Sequence, residues 1–201
     1  MAENSVTIDK TGETYRIRTD RHEWATIVLF GWQATGNDGT PRECGEILIH
    51  SSFGSWANSW GHLGTPFKDF LPKAERDYIA SKFMGANAYK FDGALTVREL
   101  RRRLLRWRRE GQLNEDEARQ LWDYIEEREV ELECSTHDFV GAMQQAETEL
   151  VATRAVLRFV REPWEHLASS IDIQFAGFWR EVWPVFLGAL KLERMEVPSC
   201  S

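Results

Sequence analysis

Two periods divide the chain. Up to about residue 52 apolar and polar residues alternate, as in strands; from about residue 67 apolar residues recur every three or four positions, as in helices. Val6-Thr7-Ile8 and Tyr15-Arg16-Ile17-Arg18 alternate across a Thr11-Gly12 turn. Ala25 to Gln33 (ATIVLFGWQ) is a nearly continuous apolar run, which predicts a strand buried on both faces. Gly36-Asn37-Asp38-Gly39 marks a turn, and Glu46 to Ser51 returns as a further strand. Four antiparallel strands in meander order are the simplest connection.

The stretch Ser51 to Gly64, SSFGSWANSWGHLG, sets two tryptophans, a phenylalanine and a histidine among three glycines. Glycines at this density predict a loop, turning the chain from sheet to helices. Phe53, Trp56 and Trp60 then anchor it in the core; in the alternative reading the stretch is an aromatic-rich recognition surface using Trp56, Trp60 and His62, with Ser55 and Asn58 exposed beside them.

Beyond the loop, a short helix from Phe67 and a second over about Lys73 to Met84 are expected, with Pro72 between them and Gly85 as the stop. Tyr89 to Phe91 reads as a short strand. Thr96-x-x-Glu99 and Asn114-x-x-Glu117 read as capping boxes that open two helices, the first closed by Gly111 and the second running to about Val130. Their short connection predicts an αα-hairpin that buries Leu100, Leu104, Trp107, Leu121, Trp122 and Ile125. Further helices are expected over Thr136 to Phe159, ended by Pro163, and over Gln174 to Leu192, broken at Pro184. The last carries Phe175, Phe178, Trp179, Val182, Trp183 and Phe186 on one broad face, fit for a core or a homodimer interface. The fold class is α+β, an N-terminal antiparallel sheet followed by a mostly helical region. Its division is expected as a β-rich lobe over 1–95 and a helical lobe over 96–201, or as one continuous domain.

Charge is arranged in blocks. Seven arginines fall at 98, 101, 102, 103, 106, 108 and 109, around a stripe of Val97, Leu100, Leu104 and Trp107. Nine acids follow between Glu115 and Glu133, against only Arg119 and Arg128. Two readings stand. The helices neutralise each other across the hairpin, or Arg102, Arg106 and Arg109 offer a phosphate-binding face for nucleic acid. The net charge of −7 makes basic partners more natural than nucleic acid.

Candidate chemistry is sparse. Cys44, His50 and His62 flank the glycine-aromatic stretch, and a cysteine nucleophile with a histidine base would need hydrogen-bond contact in space. Cys44, Cys134 and Cys200 are widely spaced with no CxxC pair, which argues against a disulfide scaffold or a zinc cluster. No metal-ligand spacing, phosphate-binding loop or nucleophile elbow occurs, so no metal and no cofactor are expected. No apolar run approaches the ~20 residues that cross a bilayer, and the N-terminus has no signal core, so a cytoplasmic protein is expected.

The run FGSWANSWGHLGTPFKDFLPKAERDYIASKFMG resembles a group of phage and prophage accessory proteins. Phe53, Gly54, Ser55, Trp56, Trp60, Gly61, Gly64, Phe67, Phe70, Leu71, Asp77 and Tyr78 carry the likeness, and FWREVWPVFLGAL around Trp183-Pro184 extends it. No catalytic residue carries over. The resemblance implies a small protein made by a mobile element inside a bacterial host. It also implies an inhibitor of host defence, of which an anti-CRISPR protein is the most concrete form. Its partner would be a host defence protein or ribonucleoprotein complex. The expected contacts are Glu126, Glu127, Glu129, Glu131 and Glu133 for charge, with Trp56, Trp60 and His62 as anchors.

Overall fold

A computed structural model of the chain describes residues 12–36 and 39–196. Four strands form one antiparallel sheet in meander order: β1 (Glu13–Arg18), β2 (Trp24–Thr35), β3 (Pro41–Ser51) and β4 (Gly54–Leu63). The helical segments are α1 (Phe67–Phe70), α2 (Arg76–Met84), α3 (Gly93–Arg109), α4 (Glu115–Glu127), α5 (Glu129–Cys134), α6 (Thr136–Glu149), α7 (Arg154–Val160), α8 (Ile173–Glu181) and α9 (Trp183–Glu196). Short β5 (Tyr89–Phe91) pairs with β6 (Ser169–Ile171) in a second sheet. The α+β class with an αα-hairpin is therefore as expected.

The four-strand count holds, but the membership differs. Val6 to Ile8 lies outside the described residues, and the fourth strand is the stretch expected to be a loop. Trp56, Asn58 and Trp60 alternate with the exposed Ser55, Ala57 and Ser59, which is strand periodicity carried on a glycine-rich background. β4 occupies one edge of the sheet, where a glycine-rich strand is tolerated. A second correction concerns β2. Ala25, Ile27 and Leu29 are buried, but Thr26, Val28 and Phe30 on the other face are only partly covered.

The chain divides into two compact units. The first holds the described parts of Met1–Ala88 and Ile171–Ser201; the second is Tyr89–Ser170. Residues 171–196, expected in the helical lobe, thus fall in the unit of the sheet. In the first unit the inner sheet face, with Ile17, Ile27, Leu29, Ile47 and Ile49, packs with Phe175, Phe178, Trp183 and Phe186 of α8 and α9. Tyr15 meets Phe186 edge-on at 5.3 Å. α8 and α9 break at Val182, two residues before Pro184.

The second unit has its own core of Val97, Leu100, Leu104, Trp107, Leu121, Ile125, Phe139 and Phe159. α4 opens with the expected capping box: Glu117 N donates to Asn114 Oδ1 at 2.9 Å, and Asn114 N donates to Glu117 Oε2 at 2.8 Å. Gly111, with φ of 70°, turns the chain between α3 and α4. α3 opens differently from expectation. Asp92 is its cap, accepting from Leu95 N at 2.9 Å, while Thr96 is buried and its Oγ1 accepts from Ala168 N at 3.0 Å. Two long helices are also shorter than expected, with breaks at Arg128 and over 150–153.

His166 is buried against this core. Its Nε2 donates to Phe159 O at 2.9 Å, and Nδ1 faces Arg103 Nη1 at 3.4 Å, an arrangement that holds the neutral ring. Burial, foremost, pushes its pKa below the usual histidine value. Between that lowered value and the unfolded value of about 6.5, the unfolded chain binds a proton that the folded one refuses. Stability should therefore fall as pH drops through about 6.5, read as a falling urea midpoint, and the dependence should flatten in His166→Gln. An unchanged pH slope in that variant would remove His166 as its source.

Candidate functional site

The aromatic anchors belong to the core of the sheet unit. Trp60 is 6% exposed, tilted against Phe67 and Phe70, and its Nε1 donates to the Tyr78 hydroxyl at 2.9 Å. Trp56 is half-buried among Phe83, Phe175 and Phe178. Of the three expected anchors only His62 is exposed.

Cys44 and His50 do not assemble, and His62, beside the Gly61 that faces Cys44 at the β3–β4 bulge, is exposed while Cys44 is buried. Cys44 and His50 lie six residues apart on β3, about 20 Å along an extended strand. The buried Cys44 thiol donates to Gly61 O at 3.3 Å, while His50 Nδ1 meets Ser55 Oγ at 2.8 Å. Among the described residues no three His, Cys, Asp or Glu side chains are placed to hold a metal ion. A tight polar cluster does occur in the first unit. The Tyr15 hydroxyl donates to Glu193 at 2.9 Å, and Lys68 bonds both Glu193, at 2.9 Å, and Glu13. Burial is the main cause that pushes the Tyr15 pKa up to about 12. Its donors and acceptors satisfy one another, so the cluster reads as structural.

The charged blocks of the second unit resolve into a seam and two outward stripes. At the seam Arg101 grips Glu129 with two bonds, 2.8 and 3.1 Å, and Arg108 approaches Glu115 at 3.6 Å. Hydrogen bonding to Arg101 is the leading reason that the Glu129 carboxyl sits below the usual range. Arg128 likewise bonds Glu149 at 2.7 Å and Glu131 at 3.2 Å. Glu129 and Glu131 are thus engaged, whereas Glu126 and Glu127 are exposed and Glu133 is half-exposed.

On α4 the outward stripe is Asp116, Asp123 and Glu127, at i, i+7 and i+11, with Glu126 beside it. All four are exposed, and among the described residues none has an ion pair. Asp116 and Asp123 belong to the acidic run but not to the expected contacts, and their helical spacing is the signal that marks them. On α3 the outward stripe is Arg98, Arg102, Arg106 and Arg109, at i, i+4, i+8 and i+11. Glu99 engages Arg102 at 2.6 Å and Arg98 at 4.0 Å, while Arg106 and Arg109 have no ion pair among the described residues. Neutralisation across the hairpin is therefore confined to its seam.

A model described as a phage family (Phage_phiTE_072) matches residues 6–186. No curated protein and no solved structure matches the chain. No helix among the described residues is long and apolar enough to cross a membrane.

Proposed function

We propose, from the premise that this chain belongs to that phage family, that it is an accessory protein that binds and occludes a cationic, nucleic-acid-handling surface of a host defence complex in the host cytoplasm, the anti-CRISPR type being the most specific form. The observation that carries this reading is the α4 stripe of Asp116, Asp123 and Glu127 with Glu126 beside it, four exposed carboxylates without an ion pair among the described residues. An unpaired acidic stripe attracts a basic surface and speeds its encounter. The net charge of −7 works in the same direction.

Reversing Asp116, Asp123, Glu126 and Glu127 to Lys should abolish capture of the defence complex from infected-host lysate and restore defence in a plaque assay. The circular dichroism and melting of the variant should stay close to wild type, because exposed charges contribute little to stability. Wild-type capture should also weaken as salt rises, since exposed charges are screened beyond ~8–10 Å at physiological strength. Undiminished capture by the four-lysine protein would eliminate the reading.

One observation favours a second reading, direct binding of nucleic acid. Arg106 and Arg109 face solvent without ion partners among the described residues, on the same stripe as Arg102. Here reversal of Arg102, Arg106 and Arg109 to Glu abolishes a gel shift, and the four-lysine variant leaves it intact.

A further inference from the structure

α7 and its C-cap residue present Arg154, Arg158 and Arg161 on one face, at i, i+4 and i+7. With Ala152, Leu157 and Glu162 they line a hollow of about 630 Å³. Both Arg158 and Arg103 lie over the Trp107 ring, their guanidinium carbons 5.1 and 5.4 Å from its centre. The ring is held edge-on against Phe159 at 5.2 Å and is nearly buried, so it fixes the Arg158 stem as a platform would.

The charges around the hollow do not cancel. Arg161 reaches Glu147 at 3.6 Å and Arg103 is engaged by Glu165 at 2.9 Å. Arg154 and Arg158 have no ion pair among the described residues, and both are exposed. Glu162 on the rim is the opposing acid. A hydrogen bond to Glu165, and the charge of Glu165, raise its pKa.

We propose that this hollow is an anion site for phosphate groups, with Arg154 and Arg158 as the donors. Each guanidinium offers a planar fork that matches a phosphate with two parallel bonds. From Arg154 to Arg161 the helix rises about 10 Å. That is about three nucleotides of a strand stacked at roughly 3.4 Å each, so the ligand class is the backbone of a nucleic-acid strand, with free phosphate as the alternative source of the same chemistry. The site uses residues of neither outward stripe and rests on neither reading of them, although its Thr153 end meets Glu117 of α4. A ribonucleoprotein target would meet the acidic stripe with its protein and this hollow with its strand.

The test uses the full-length protein and a fluorescein-labelled single-stranded thymidine oligonucleotide, followed by anisotropy across a salt series, with inorganic phosphate titrated separately. Wild type should bind the oligonucleotide. Arg154→Glu with Arg158→Glu should lose most of that affinity and flatten the slope of log K against log salt by about 1.4, or roughly 0.7 for each lost contact to a single strand. Arg154→Gln alone leaves the Trp107 stacking intact and should flatten the slope by about half as much. The four-lysine α4 variant and the α3 variant at Arg102, Arg106 and Arg109 should keep the α7-dependent part, which separates this site from both functional readings. If only inorganic phosphate binds, and does so through Arg154 and Arg158, the site stands and its source is free phosphate. Absence of binding by either probe, or binding that the α7 variants leave unchanged, would overturn the proposal.

Discussion

Replacing Leu104 by Asp should destabilise the helical unit by about 3–5 kcal/mol, a large share of the ~5–15 kcal/mol that holds an ordinary domain folded. Leu104 is 2% exposed and belongs to the core shared by α3 and α4. Truncating a buried leucine alone costs ~2–5 kcal/mol, and a carboxylate adds the cost of leaving water. Two arginines temper that second cost. Arg101 and Arg108 stand three and four residues away on α3, and Leu104 lines a groove with Arg108 and Arg119. A carboxylate there can lean towards them, so the total stays well below that of an isolated buried charge. The neighbouring Leu105, 42% exposed, supplies the control. Leu105→Asp should change the urea midpoint little, and Leu104→Met should cost less than ~1.5 kcal/mol. Equal melting of Leu104→Asp and wild type would show that the α3–α4 contact is not built as described.

The elements legible in the sequence are those whose signals are local. Asn114 with Glu117 marks a helix start unambiguously, because both partners of the box lie within one turn and face solvent. Thr96 with Glu99 spells the same motif, yet that threonine is buried and bonds Ala168, seventy-two residues away, and Asp92 caps the helix. The motif is local and its competitor is not. β4 was hidden for a related reason. Its alternation of Trp56, Asn58 and Trp60 is plain once pairing to β3 is known, but Gly54, Gly61 and Gly64 outweigh it as a loop signal. The return of α8 and α9 to the sheet is a tertiary event that no spacing announces.

The candidate surface divides in the same way. The sequence shows two blocks of opposite charge, and helical periodicity could have singled out Asp116, Asp123 and Glu127. Which carboxylates are engaged depends in part on contacts made at a distance: Glu129 is bound by Arg101 twenty-eight residues away, whereas Arg128, at the break before α5, holds Glu131 only three residues on but also reaches Glu149 twenty-one residues away. Trp60 looked like an anchor because of its chemistry, and burial against Phe67 and Phe70 turns it into core. The arginines of α7 carried no block signal, being only three spread over eight residues, and gain their meaning from the Trp107 ring beside them.

Gly93→Ala should destabilise the helical unit, although helix propensity alone argues for the opposite sign. Alanine inside a helix is favoured over glycine by ~0.5–1 kcal/mol, so the substitution would ordinarily be neutral or helpful. At Gly93, the first residue of α3, an added Cβ would lie 2.1 Å from Glu133 O and 2.4 Å from Glu133 Cα, at the end of α5. Those are backbone atoms, so no side chain can rotate away, and relief requires α3 and α5 to separate. Overpacking of a fitted contact costs ~1–3 kcal/mol, and a backbone obstacle places this one at the upper end. The net expectation is a loss of about 2 kcal/mol, after the propensity gain is subtracted. Gly141 in α6 is the matched control: nothing lies within 4 Å of a Cβ built there, and the position is exposed. Gly141→Ala should therefore stabilise the unit by the propensity difference, about 0.5–1 kcal/mol, read as a higher urea midpoint. Opposite shifts in two helical glycines of one unit are a demanding outcome, because nothing in the local sequence distinguishes them. A gain in both would mean that α3 and α5 do not meet at Gly93 and Glu133.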